Sequence, residues 1–365
     1  MSDGNLAPTG PLAYDPRVLR SLLVFSAALA VGSWFGLGSP KEMTSVRAAL
    51  PAVAPSDVRV TSPPVPAPAF DAAALPDPDG FPHLNPTASR TRGWLLAEGP
   101  APSDDGKRYV TLTFDDGPSP ETPAVLELLA RHRVRATFFF IGKYLEGSSR
   151  RAAGARTSAV AVKDAGHLIG SHTESHALLP NLPRKKQALE IDDGIAAIQH
   201  VLGTRPTLFR PPYGGLGPDG EALLRERNLD LVMWSIEVGD MKTADETAML
   251  NGLIEQIDYA GGGTILLHDI KAPTVHVLAK LLDWLDAHAW DPAHPERVGY
   301  AVVDLPGFLR ATAAHPQPFA DRKALEEWRA AEWRKTHTAS RFPALLDATL
   351  NDTLNEIPAG GTTLE

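Results

Sequence analysis

The chain contains no cysteine. Disulfides, thiolate metal sites, iron–sulfur clusters and cysteine nucleophiles are therefore excluded, while the compartment stays open because such a chain is indifferent to redox conditions. A basic face is also lacking: the formal net charge is −9, and binding to nucleic-acid phosphates needs clustered Lys and Arg. The short runs Arg150-Arg151 and Arg184-Lys185-Lys186 have no interleaved aromatics and read as solvated surface. Fixed-period repeats are absent as well. What the 365 residues do have is ordinary globular usage, 43% hydrophobic and 22% charged, enough to bury a core.

Proline is plentiful and unevenly spread, with 16 of 33 in residues 1–103. Ahead of the densest part lie 20 uncharged residues, 21–40, SLLVFSAALAVGSWFGLGSP. As a helix these are about 30 Å long, enough to span a bilayer. Arg17 and Arg20 precede them, as in a signal sequence or signal anchor with its N-terminus inside, although Lys41 and Arg47 follow. The expectation is a cytoplasmic segment 1–20 and a transmembrane anchor or signal peptide 21–40, with an uncleaved anchor preferred to cleavage near Ala28–Ala30. A proline-rich disordered linker 41–103 follows, in which Gly93-Trp94-Leu95-Leu96 is a candidate for docking back onto the body. The catalytic body then lies outside the cytoplasm, membrane-anchored or secreted.

From Asp104 short apolar runs alternate with helical stretches, the pattern of repeated β–α units. Expected strands are Tyr109–Phe114, Ala136–Ile141, His167–Ser171, Leu208–Arg210, Leu231–Ile236, Thr264–Leu267 and Tyr300–Asp304. Expected helices include Pro123–His132, Arg184–Leu202, Pro218–Arg227, Ala244–Ile257 and Val275–His288. After Arg310 the stretches Asp321–Lys335 and Ala344–Asn355 read as peripheral helices of a C-terminal extension, 311–365.

Five of the expected strands end in polar or ionisable residues: Asp115-Asp116, His172, Arg210, Glu237 with Asp240, and His268-Asp269. In a barrel of β–α units, catalytic groups come from the C-terminal ends of several strands. Asp116, His172 and His176 supply a carboxylate and two imidazoles. The four-residue spacing of the histidines would set both rings on one side of a helical turn. Two His and one carboxylate leave positions for water and substrate, as at catalytic zinc and non-haem iron. Asp115, next to the candidate ligand, suits a general base, and His268 suits a general acid because an imidazole titrates near neutrality.

The motifs TFDDGP (Thr113–Pro118), SHTESH (Ser171–His176), RPPYG (Arg210–Gly214) and ILLHD (Ile265–Asp269), with ATFFFIG and AGHLIGSH, resemble those of the polysaccharide deacetylases with a NodB-type domain, carbohydrate esterase family four. The likeness covers about 200 residues, within an expected domain 104–310. It implies an α/β fold, a distorted (β/α)7-type barrel, that removes acetyl groups from N-acetylglucosamine units of a polysaccharide. It further implies a divalent metal, Zn2+ first and Co2+ or another divalent ion as the alternative, held by Asp116, His172 and His176. Asp115 matches the base, Arg210 the arginine that orients it, and His268 the acid. Tyr213 would offer its backbone amide to the oxyanion, and Leu266 a wall of the acetyl pocket. The usual Asp-x-x-Asp-Trp is replaced by Glu237-Val238-Gly239-Asp240-Met241. Asp240 remains to hydrogen-bond His268, and Met241 substitutes a flexible apolar wall for an aromatic one. His276, His288 and His294 match nothing and are expected at the surface. An O-acetyl esterase with the same site, or a degenerate glycan-binding module, stays open as an alternative.

Overall fold

The computed structural model describes residues 90–102 and 105–336. The expected anchor at 21–40, most of the expected linker and the expected helix Ala344–Asn355 lie outside them. Among the described residues no helix is long and apolar enough to cross a membrane.

In chain order the elements are α1 (Arg90–Ala97), β1 (Lys107–Gly117), α2 (Thr122–His132), β2 (Thr137–Phe140), α3 (Arg150–Asp164), β3 (Leu168–Ser171), α4 (Arg184–Leu202), β4 (Leu208–Phe209) and α5 (Pro218–Glu226). Then come β5 (Asp230–Leu231), β6 (Ile236–Glu237), α6 (Glu246–Ala260), β7 (Gly263–His268), α7 (Ala272–Ala287), β8 (Gly299–Val302), α8 (Leu305–Ala314) and α9 (Arg322–Thr336). Every strand pairing is parallel. The strands run in the order β5-β4-β3-β2-β1-β7-β6, and β8 adds to the first half of β1.

Among the described residues the sheet is a half-barrel and not a closed one. Its path ends in β5 and β6, which do not pair although only residues 232–235 separate them. The expected single strand Leu231–Ile236 is thus split. Val232 N–H bonds Phe209 O at 2.9 Å on one side, and Ser235 N–H bonds Thr264 O at 3.0 Å on the other. The segment between crosses from one sheet edge to the other. The carbonyls of Val232 and Met233 in this segment accept from a side chain, that of Arg210.

Strand alternation divides the buried residues. On β1, Val110, Leu112 and Phe114 join the main core with Phe138, Phe140, Ile265 and Leu267, under the helices. Thr111, Thr113 and Asp115, one residue out of phase, face the other way. On β7 the same rule sets Leu266 and His268 opposite Ile265 and Leu267. A core that buries each of these side chains contributes about 1.5–3 kcal/mol per residue, so it fixes register as well as stability.

Residues 90–97 of the expected linker are helix α1, whose Trp94 and Ala97 enter a second cluster with Leu231 and Met233. Helix α3 buries Ala152, Ala155, Ala159 and Val162.

Two mid-helix glycines differ in what surrounds them. A Cβ at Gly154 in α3 would meet nothing within 4 Å. A Cβ at Gly194 in α4 would lie 2.6 Å from Thr173 C and 2.8 Å from Glu174 N, the backbone of the loop between His172 and His176. Gly154→Ala is expected to stabilise the protein by about 0.5–1 kcal/mol through lower chain entropy. Gly194→Ala is expected to destabilise it by about 1–3 kcal/mol, because overpacking outweighs the same gain. Denaturant unfolding of the two variants should give opposite signs.

Candidate active site

The C-terminal ends of β1, β3, β4 and β7 bring the sequence-nominated polar residues together. On β1 the pairing with β2 shifts register between Asp115 and Gly117. Asp116, at φ 69°, occupies this bulge. A bulge re-aims one side chain against the alternation. Adjacent carboxylates can therefore serve the same site: Asp115 Oδ2 lies 3.7 Å and Asp116 Oδ1 3.6 Å from His172 Nε2.

The four-residue spacing of His172 and His176 is not helical. Residues 172–176 form a loop in which Thr173 and His176 have φ of 67° and 64°. His176 N–H donates to Thr173 Oγ1 at 3.0 Å, a local bond that replaces a helical turn. Glu190, on α4, holds this loop from outside by accepting from Ser175 N–H at 2.9 Å and Ser175 Oγ–H at 2.6 Å. The rings nonetheless converge, with centroids 4.9 Å apart.

The ligating atoms of Asp116, His172 and His176 all lie within 4.8 Å of one another. Three features of this trio fit a divalent cation. Asp116 Oδ1 is buried with no hydrogen-bond partner, 3.2 Å from His176 Nε2. His172 Nδ1–H donates to Arg210 O at 2.7 Å, which leaves the Nε2 lone pair facing the carboxylates. Burial drives His172 down to about 3 and lowers His176 also, so both imidazoles are neutral as ligands must be. The close approaches of His172 to Asp115 and Asp116 are accordingly not ion pairs.

Arg210 is fully buried and stacks over Phe139, 4.3 Å from the ring centre. Its Nη1 donates to Asp115 Oδ1 at 2.9 Å and to Thr113 Oγ1 at 2.8 Å. Its Nε donates to Val232 O at 3.0 Å and its Nη2 to Met233 O at 3.1 Å. Burial raises the Asp115 carboxyl above its ordinary value, against the opposing pull of Arg210 and His268.

His268 ends β7. Its Nδ1 is 2.7 Å from Asp240 Oδ1, its N–H donates to Asp240 Oδ2 at 3.2 Å, and its Nε2 lies 4.0 Å from Asp116 Oδ2. Burial opposes protonation of this ring. The Asp240 bond and the charges of Asp240, Asp115 and Asp116 outweigh it and lift His268 to about 9. Because that exceeds its ordinary 6.5, the pair adds stability in full below about 6.5 and loses it as pH rises through about 9. Thr274 Oγ–H donates to Asp240 Oδ2 at 2.7 Å, and Lys271 Nζ to Asp240 O at 2.8 Å.

At the rim, the exposed Tyr213 (φ 59°) sets its ring edge against His176, centroids 4.7 Å apart. Leu266 is buried on β7, whereas Met241 is 52% exposed. Glu237 bonds Gln256 through its backbone N–H and C=O. His276, His288 and His294 are exposed and paired with Glu246, the Trp284 carbonyl and Glu296.

Two residues without a role in the sequence reading support the site. Glu190 lies in no motif. Asp269 belongs to a quoted motif and is fully buried; its Oδ2 accepts from the Thr122 hydroxyl and its backbone carbonyl from the Ser119 hydroxyl. Burial raises Asp269 to about 7. A Cβ at Gly117 would lie 2.5 Å from Asp269 Oδ1, so only glycine fits beside Asp116 there.

A parallel β–α sheet thus brings Asp115, the Asp116–His172–His176 trio and the Asp240-paired His268 together at its strand ends, an arrangement whose chemistry suits hydrolysis. The chain matches, over residues 103–232, the family model described as polysaccharide deacetylase. It is 33% identical over 186 residues to the peptidoglycan-N-acetylmuramic acid deacetylase PdaC of Bacillus subtilis, covering 49% of this chain and 37% of that protein. Identity is 37% over 171 residues to a chitin deacetylase of Pestalotiopsis sp, covering 46% and 56%. It is 32% over 163 residues to a peptidoglycan-N-acetylglucosamine deacetylase of Bacillus cereus, covering 44% and 56%. The chain thus spans about half, or less, of the length of these curated relatives.

His176→Ala, which removes one of the three donors and lies in a loop fastened by Glu190, is expected to abolish retention of an added divalent ion by the purified protein while leaving its unfolding cooperative. Metal analysis after dialysis, together with thermal unfolding, checks both halves.

Proposed function

We propose that the chain is a metal-dependent deacetylase that hydrolyses the acetamide of N-acetylglucosamine units in a polysaccharide and releases acetate. The observation that carries this reading is the convergence of Asp115, the Asp116–His172–His176 trio and the protonated His268 within hydrogen-bonding reach of one small volume. The family domain and relatives named as chitin and peptidoglycan deacetylases support it. Zinc is the cation that two imidazoles and a carboxylate with open positions suit best, and cobalt is the alternative.

Bound by Asp116, His172 and His176, such a cation would polarise the acetyl carbonyl and acidify a water molecule. The chain's own groups supply the rest. Asp115 Oδ2 takes a proton from the attacking water, while Oδ1 stays tied to Arg210 so that the carboxylate keeps its aim. As the C–O bond forms, the Tyr213 N–H donates to the developing oxyanion. The C–N bond then breaks, and His268 Nε2–H protonates the departing sugar amine. Asp240, on the opposite ring nitrogen, keeps that proton in place up to alkaline pH. Leu266 lines the space beside the acetyl methyl, and Met241 offers an apolar rim to the sugar chain. The uncharged stretch 21–40 and the proline-rich residues after it favour work outside the cytoplasm, on an envelope or secreted polymer.

Acetate release from N-acetylglucosamine oligomers, peptidoglycan and acetylated xylan, before and after chelation, tests the reading. Release from an N-acetylated glycan, lost on chelation and restored by zinc, is expected. Release from xylan alone would make the protein an O-acetyl esterase, and no release from any glycan would leave a binding module.

The pH profile follows from His268. Its proton is required, so kcat/KM should fall as pH rises through about 9. Asp240→Asn removes the charge that holds the proton and should move this basic limb to lower pH by about one unit or more. A profile that does not move would remove Asp240 from the proposed role.

A further inference from the structure

Glu98 follows α1 and is buried, its side chain 1% exposed. Two guanidiniums of α9 flank it: Arg322 at 2.9 Å and Arg329 in a close hydrogen bond. Arg329 also pairs with Glu326 at 2.9 Å and donates to Ala260 O at 3.0 Å, at the end of α6. Glu326 in turn accepts from the Tyr259 hydroxyl at 3.1 Å. Taking this many charges out of water is costly unless each is matched, so the network fastens α1 to α9 in one arrangement.

From this buried pair a line of contacts leads to the site. Arg322 stacks over Trp94 at 4.8 Å, and Trp94 sets its edge against Trp234 at 5.0 Å. A Cβ on Gly93 would lie 3.0 Å from Met233 Cγ, so α1 rests directly on the crossing segment. Ser235 Oγ–H donates to Ala97 O at 2.9 Å and accepts from Thr264 N–H at 3.1 Å, tying α1 to β7. The segment so covered, 232–235, is the seam between the edge strands β5 and β6 of the half-barrel. It holds the two carbonyls that receive Arg210.

We infer that α1 and α9 form a clasp that closes the open seam and fixes Arg210, and through it Asp115, with Glu98 as a positioning residue. Both helices lie outside the matched family residues 103–232. The inference rests on the deacetylase reading for its kinetic consequence and on geometry alone for its structural one.

Two variants of the full chain test it. Glu98→Gln keeps the shape and removes the charge. Ser235→Ala removes one hydroxyl from the seam and leaves the ion pairs intact, so it carries the test if Glu98→Gln fails to fold. In both, kcat for acetate release should fall about tenfold with KM within about twofold, as for a displaced catalytic group, with metal content unchanged. Exchange of the Val232 and Ser235 amides should accelerate by about tenfold as the seam loosens. Wild-type kcat and wild-type exchange at those amides in both variants would overturn the clasp. If the wild type releases no acetate, the deacetylase reading falls, and amide exchange alone judges the clasp.

Discussion

A guanidinium with no access to water must find acceptors for its donors and a counter-charge, or the fold does not form. Arg210 meets both conditions by reaching in two directions at once. Toward the site it bonds Asp115 and Thr113; toward the seam it bonds the carbonyls of Val232 and Met233. Those carbonyls belong to the segment that crosses between the two edges of the sheet. One side chain therefore ties the crossing segment to Asp115. Its own backbone carbonyl accepts from His172 Nδ1, which extends the same constraint to the cation trio.

Around that centre the electrostatics are set by contrast. His172 is stripped of water and kept neutral, while His268, also buried, is kept protonated because Asp240 meets its Nδ1. Two imidazoles in one site thus hold opposite protonation states over the neutral range, and each suits its proposed part as ligand or acid. Asp240 is itself fastened by Thr274 and Lys271.

Residues whose spacing obeys strand or helix periodicity could be read directly. The strand ends that present Asp115, His172, Arg210 and His268 were visible as apolar runs meeting polar residues, and α4 spans Arg184–Leu202 as expected. What escaped depends on tertiary contacts. The run Leu231–Ile236 looks like one strand, yet a side chain from 22 residues away occupies its carbonyl at Val232. His172 and His176 carry a helical spacing, but Gly194 lets α4 press on the loop between them, and a left-handed backbone turns the rings together. Helix α3 shows a small-residue face without a strong apolar stripe; the docking of Gly93–Leu96 was legible, but not that the patch is a helix fastened through Trp94 and Glu98 to partners on α9 more than 200 residues away. Asp269 stood in a recognised motif, but only its burial against Thr122 and Gly117 gives it a part.

Whether the Arg210–Asp115 pair holds the crossing segment and the site together is read from a double-mutant cycle on unfolding free energy with Arg210→Met, Asp115→Asn and the combined variant. Arg210→Met leaves the Asp115 carboxyl buried without its counter-charge and should cost about 3–5 kcal/mol, much of which the combined variant should recover, giving a coupling of several kcal/mol. Effects that add to within about 0.5 kcal/mol would show that Arg210 and Asp115 act independently and that the pair holds nothing together.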